Sequence, residues 1–211
     1  MSKYIFVDID DTLVETAANS YRIFNAIAGS FWFSIEKNQF IQWYINWDFK
    51  ENIMHFFAKY GDFKQINGIY EKLKSTYTKK IIVDKNLLSL LENRGYNVGI
   101  LTNWPRQKTL QKIAYLWWEA GSMVMVLHSE NMAYEKPDPR VFDYVFNKIW
   151  REYDDLIYVW DSIEDYKASR WAGVKFYWVL TWYTSKSEFV SHGLDPSKVL
   201  DNINDLILSI D

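Results

Sequence analysis

The 211-residue sequence contains no cysteine. Disulfides, thiolate metal sites and cysteine nucleophiles are excluded, and the absence suits a reducing interior. Histidine is scarce: His55, His128 and His192 lie too far apart in the chain to suggest a zinc site, so any metal site should be built from carboxylates. Basic charge is not in excess. The net charge is −3 and the pI about 5.7. That argues against a nucleic-acid partner, because no general cationic field is present to neutralise phosphates. Long apolar runs are missing too. The run Tyr4 to Val7 is far shorter than a signal core and ends in acid. The run Phe176 to Tyr183 cannot span a bilayer. No membrane partner is expected, and the chain reads as soluble and cytoplasmic. There is no internal repeat, low-complexity segment or P-loop.

Aromatic residues are abundant: 11 Trp, 15 Tyr and 13 Phe, enough for a large and rigid core. The length suits one large domain or a domain with an insert. After an apolar run at 4–7, no strong strand signal appears between 15 and about 80. Segments 19–29 and 39–49 space apolar residues at helical intervals, and 61–80 reads as a helix ending in basic residues. Residues 15–80 are therefore expected to form a helical insert.

From Ile81 onward strands and helices alternate. Asp84 is placed to cap a helix over 85–94, with Gly95 just past its end. A strand spans 97–102, and Pro105 opens a helix that stops near Gly121. Further strands are expected at 123–127, 156–160 and 175–180. A helix begins at Asp138 and Pro139, another is closed by Gly173, and a last one covers 202–210. This alternation predicts an α/β fold with a doubly wound parallel sheet, built from 1–14 and 81–211.

In such sheets ligands bind beyond the carboxyl ends of the strands. The first strand runs into Asp8, with Asp10 two residues later. In extended chain the two share a side, roughly 6–7 Å apart. That gap can hold a tetrahedral group, one carboxylate attacking while the other moves a proton. Thr102 and Asn103 end the second strand. Lys136 lies in a loop before a helix, and Asp161 ends the strand 156–160, with Asp165 one helical turn on. Oxygen ligands of this kind suit Mg²⁺, which keeps some waters and binds a substrate phosphate.

The segments "VDIDDT", "LTN", "EKPDPRVF" and "DSIEDYKASRWAG", in that order, resemble the four motifs of the haloacid dehalogenase superfamily. The insert resembles its helical cap domain, with hinges near Val14–Glu15 and Lys80–Ile81. The resemblance implies a Rossmann-like core and a hydrolase. Asp8 would be the nucleophile, forming an aspartyl-phosphate. Asp10 would be general acid and then general base. Thr102 and Lys136 would hold the phosphoryl oxygens, with Thr12 and Asn103 orienting the substrate-binding loops. Asp8, the carbonyl of Asp10, Asp161 and Asp165 would hold Mg²⁺. The second acid, Asp10, favours phosphoryl transfer over dehalogenation. The resemblance thus implies a phosphatase acting on a small phosphorylated metabolite. A phosphotransferase or mutase, and a degenerate member that binds phosphate or a partner without turnover, fit the same motifs.

Several of these residues have a simpler use. Ser162 and Asp165 also read as a capping box. Trp43, Trp47, Phe56 and Phe57 read as the core of the insert, and Arg22 and His55 as its surface. Trp160 stands where the superfamily usually has a small residue. Extended geometry turns its ring to the side opposite Asp161, under a helix.

Overall fold

The computed structural model describes residues 3–46, 48–118, 122–149, 156–181, 183 and 185–210. Six strands form one sheet: β1 (Lys3–Val7), β2 (Tyr96–Leu101), β3 (Met125–Leu127), β4 (Leu156–Trp160), β5 (Lys175–Val179) and β6 (Val199–Leu200). Their order is β3-β2-β1-β4-β5-β6, and every pairing is parallel. The chain winds outward from β1 first to one side and then to the other. The switch point, where such sheets bind ligands, lies at the carboxyl ends of β1, β2 and β4.

The chain divides into two compact units, Glu15–Lys80 and Met1–Val14 with Ile81–Asp211. The smaller unit holds α1 (Ala17–Ser30), α2 (Lys37–Asn46), α3 (Phe49–Phe57) and α4 (Phe63–Lys74). Asp48 and Asp62 each close a capping box at the start of α3 and α4. Phe24 sits at its centre, with the rings of Phe40, Phe56, Phe57 and Tyr70 between 5.2 and 5.9 Å away. Trp43 stacks on the exposed His55, and Arg22 pairs with Glu15. Trp47 lies outside the described residues. The Glu15 N–H bonds to the Lys80 carbonyl at 2.9 Å, so the ends of this unit lie side by side.

The larger unit has a core on each face of the sheet, because alternate strand residues point to opposite faces. Ile5, Val7, Val98, Ile100, Ile157 and Val159 meet α5 (Leu87–Asn93), α6 (Arg106–Tyr115) and α10 (Leu206–Ser209). Phe6, Tyr158 and Trp178 meet α7 (Arg140–Ile149), α8 (Ile163–Trp171) and α9 (Lys186–Ser191). Gly99 is what lets Phe6 lie flat across β2: a Cβ at Gly99 would stand 2.6 Å from the Phe6 ring.

Some elements differ from the sequence reading. Asp84 caps nothing: α5 starts at Leu87 behind Asn86, while the Asp84 N–H is drawn 2.7 Å to Asn204 Oδ1. The helix after Pro105 stops at Tyr115, where Trp117 takes a positive φ of 58°, and Gly121 lies outside the described residues. The third strand is shorter, 125–127. The helix expected from Asp138 begins at Arg140, whose N–H is held by Asp138 Oδ1 at 2.9 Å. The last helix is a 3-10 turn followed by α10. Neither α9 nor β6 was foreseen. Each is too short for a periodic signal, and β6 exists because β5 offers it a free edge.

Candidate active site

Asp8 follows β1 directly. Its N–H still bonds to the Val159 carbonyl, so β1 and β4 remain zipped at this point. The side chain is buried, and Lys136 Nζ lies 2.9 Å from its Oδ1. Burial pushes the Asp8 carboxyl above its ordinary range. Lys136 opposes that and the neighbouring charge of Asp10 adds to it.

Residues 9–14 form a tight turn. The N–H groups of Leu13 and Val14 both bond to the Ile9 carbonyl, and Asp11 takes a φ of 56°. Thr12 is fully enclosed in this turn, and its hydroxyl has no hydrogen-bond partner. It therefore does not reach the accessible surface of the crevice. Asp10 is held at both oxygens: Lys112 Nζ donates to Oδ1 and Trp104 Nε1 to Oδ2.

Thr102, just past β2, is buried, and its hydroxyl accepts from the Trp104 N–H at 3.4 Å. Asn103 spends both ends of its amide on the Lys136 backbone, donating to the carbonyl at 2.8 Å and accepting from the N–H at 3.0 Å. It thus orients Lys136. The ammonium of Lys136 also lies over the Trp160 ring. That ring is on the same face of β4 as Tyr158, opposite Asp161, as extended geometry requires. It does not stay clear of the site, however, because it forms one wall around Lys136.

Asp161 is buried, and the Tyr183 hydroxyl donates to its Oδ2 at 2.6 Å. Burial, then the charge of Asp11, pushes its carboxyl far above the ordinary range, and Asp8 and Asp165 add to this. Asp165 is pushed up to about 7 by burial, against Lys136 and the Ser162 hydroxyl. The expected capping box is half formed. Ser162 Oγ accepts from the Asp165 N–H, but the Asp165 carboxylate takes the Ser162 hydroxyl at 2.6 Å and not the Ser162 backbone.

The charge of Asp8 raises the pKa of both Asp161 and Asp165, and Asp165 adds to the rise at Asp161, with Lys136 the buried ammonium among them. Three buried carboxylates around one ammonium, with oxygen as their only donor atom, fit a hard divalent cation. Among the described residues no group of three or more such side chains is already gathered around a metal position.

Sequence reasoning missed Trp104, Lys112 and Tyr183. Trp104 could have been found, since it directly follows the strand-end pair Thr102-Asn103. Lys112 reaches Asp10 from the last turn of α6, 102 residues further along the chain, and no motif spacing records that.

A family model described as haloacid dehalogenase-like hydrolase matches residues 4–179. Comparison with curated proteins gives no match. Among solved structures, a Thermotoga maritima protein provisionally assigned as a beta-phosphoglucomutase superposes with a TM-score of 0.78 at 13% identity, covering 98% of this chain and 97% of that one. CbbY from Rhodobacter sphaeroides, in complex with phosphate, gives 0.68 at 17% identity, with 98% and 96% covered. A predicted phosphoglycolate phosphatase from Haemophilus somnus 129pt gives 0.67 at 17%, with 98% and 97% covered. At these identities the likenesses establish the fold, and the match of the family model over most of the chain establishes the family: this protein belongs to the haloacid dehalogenase-like hydrolases.

Proposed function

We propose that the protein is a Mg²⁺-dependent phosphatase of a small organic phosphomonoester. The observation that carries this reading is the buried Asp8–Lys136 pair at the carboxyl end of the central strand, with Asp10 two residues on. An Asp8 oxygen attacks phosphorus. The bond to the ester oxygen breaks, and that oxygen takes a proton from Asp10. Asp10 then removes a proton from water, which attacks the aspartyl-phosphate. Inorganic phosphate leaves and the Asp8 carboxylate is regenerated. Lys136 and Thr102 hold the phosphoryl oxygens through both steps. Asp8, the Asp10 carbonyl, Asp161 and Asp165 are the groups that would hold Mg²⁺, which supplies charge neutralisation when bound.

Solved neighbours include both a mutase assignment and a phosphatase assignment, so the fold does not choose between water and a sugar hydroxyl as the acceptor. The test is phosphate release from a panel of phosphorylated metabolites, with and without Mg²⁺. Asp8→Asn should release none while keeping its fold, and beryllofluoride should bind the natural protein but not this variant. Normal turnover by Asp8→Asn would end the covalent reading. Transfer to added sugar phosphates without free phosphate would turn the assignment to a mutase.

A further inference from the structure

The segment between β2 and the end of α6 grips Asp10 from two directions. Lys112 Nζ takes Oδ1, and the Trp104 indole N–H takes Oδ2. Trp104 is itself fixed. Its N–H reaches Thr102 Oγ1 at 3.4 Å, and its carbonyl accepts from the Ser129 N–H at 3.1 Å and Thr109 Oγ1 at 3.3 Å. Lys108 Nζ lies 4.5 Å and Lys112 Nζ 4.6 Å from its ring centroid, so two ammonium groups brace the indole. The Lys112–Asp10 pair is largely shielded, with side-chain exposures of 17% and 21%. Water competes with such a pair much less than with one on the open surface.

A general acid–base group must keep one oxygen within hydrogen-bond reach of the moving proton, and small misplacements are costly. A free aspartate at the end of a turn would sample several rotamers. We propose that Trp104 and Lys112 are positioning residues that lock the rotamer of Asp10. Each carboxylate oxygen has two lone pairs. The clamp takes one on each oxygen. The two residues act through Asp10 and not on the phosphoryl group. The inference rests on the phosphatase reading, and its test separates the two.

The test compares the full chain with Lys112→Met, Lys112→Arg and Trp104→Phe. Substrates are p-nitrophenyl phosphate, whose leaving group needs no proton, and glycerol phosphate, whose leaving group does. For Lys112→Met, kcat on glycerol phosphate should fall by about 10–100-fold while KM stays within about twofold, as expected for partial loss of acid–base help. With the aryl ester the initial burst of nitrophenol should survive and only the later steady rate should fall. Trp104→Phe should show the same pattern more weakly, and Lys112→Arg should restore most of the rate. Unchanged kcat in Lys112→Met and Trp104→Phe overturns the proposal. So does a rise in KM alone, which would make Lys112 a substrate contact. The indole N–H resonance of Trp104, assigned with Trp104→Phe, provides a second readout and should move in Asp10→Ala. An unmoved signal overturns the clamp whatever the kinetics. A moved signal in a protein that hydrolyses neither ester supports the clamp and removes the phosphatase reading instead.

Discussion

The ammonium of Lys136 stands 2.9 Å from Oδ1 of Asp8, and both side chains are almost wholly enclosed. Removing one member of such a pair strands the other charge in a medium that solvates it poorly. Lys136→Met should cost about 3–5 kcal/mol in metal-free protein, the range for breaking a buried pair, and should abolish phosphate release. Adding Asp8→Asn should return most of the stability and none of the activity. Denaturant unfolding of the two single variants and the double variant measures this. Additive losses would show that the pair is not energetically coupled.

Metal-free stability should depend on pH through the buried acids. Asp165 rises from 3.8 to about 7, and Asp161 is also pushed well above its ordinary range, both chiefly through burial. A carboxyl whose pKa is higher in the folded state binds its proton more tightly there. Its contribution is full below about pH 4 and is lost as pH rises through about 7. In chelator, the unfolding midpoint should therefore fall between about pH 5 and pH 8. Added Mg²⁺ should raise it more at the higher pH, by about 2–4 °C for each kcal/mol at this chain length. A Mg²⁺ effect that is larger at pH 5 would contradict the site.

Trp160 presents its ring to Lys136 while its body packs with Tyr158. Trp160→Leu keeps most of the apolar contact and removes the ring face, which is worth about 0.5–2 kcal/mol to a shielded ammonium. Stability should drop by about that amount, and KM for phosphate esters should rise as Lys136 loses its support. A variant that turns over faster than the natural protein would show that the indole obstructs the crevice. That result would favour a phosphate-binding role with little turnover.

Phe6 occupies the space that a side chain at position 99 would need, with its Cε1 2.6 Å from the position of a Cβ there. Gly99→Ala should destabilise the larger unit by about 1–3 kcal/mol, the usual cost of overpacking. Pairing it with Phe6→Leu should recover part of the loss. Equal stability of Gly99→Ala and the natural chain would mean that the sheet yields more readily than its packing suggests.

The 2.9 Å bond between the Glu15 N–H and the Lys80 carbonyl brings the ends of the helical unit together, so a short linker can replace residues 15–80. The remaining chain should fold and should hydrolyse small aryl phosphates. We expect it to lose discrimination among large esters, measured as the spread of kcat/KM across a substrate panel. An unchanged spread would place specificity in the sheet unit.

Much of this arrangement can be read in the chain itself. The alternation after Ile81 implies a doubly wound sheet, because apolar runs of strand length and helix periods leave few other ways to bury both. Gly95 and Gly173 sit at positive φ just past α5 and α8, where capping chemistry puts glycine. The strand-end residues were found because the carboxyl ends of β1, β2 and β4 are where side chains escape the ladder. Helix boundaries were harder. Asp84 looks like an N-cap, yet α5 starts only at Leu87 behind Asn86, and the Asp84 N–H is held by the distant Asn204, a partner that no local signal encodes.

The sequence by itself determined a doubly wound parallel sheet with its first five strands, the helical insert and the row of acids at the strand ends. These follow from hydrophobic period and from the order of residues along one chain, which are local properties. Only the tertiary structure decided what each acid touches. Asp8 faces Lys136, Asp10 is gripped by Trp104 and Lys112, and Asp161 meets Tyr183. It also decided that the Trp160 ring closes over Lys136. These pairs join residues far apart in the chain, and they form because the sheet and its crossover helices bring distant segments into one water-poor space. There a charge must find a partner or shift its pKa, and which partner it finds depends on packing rather than spacing.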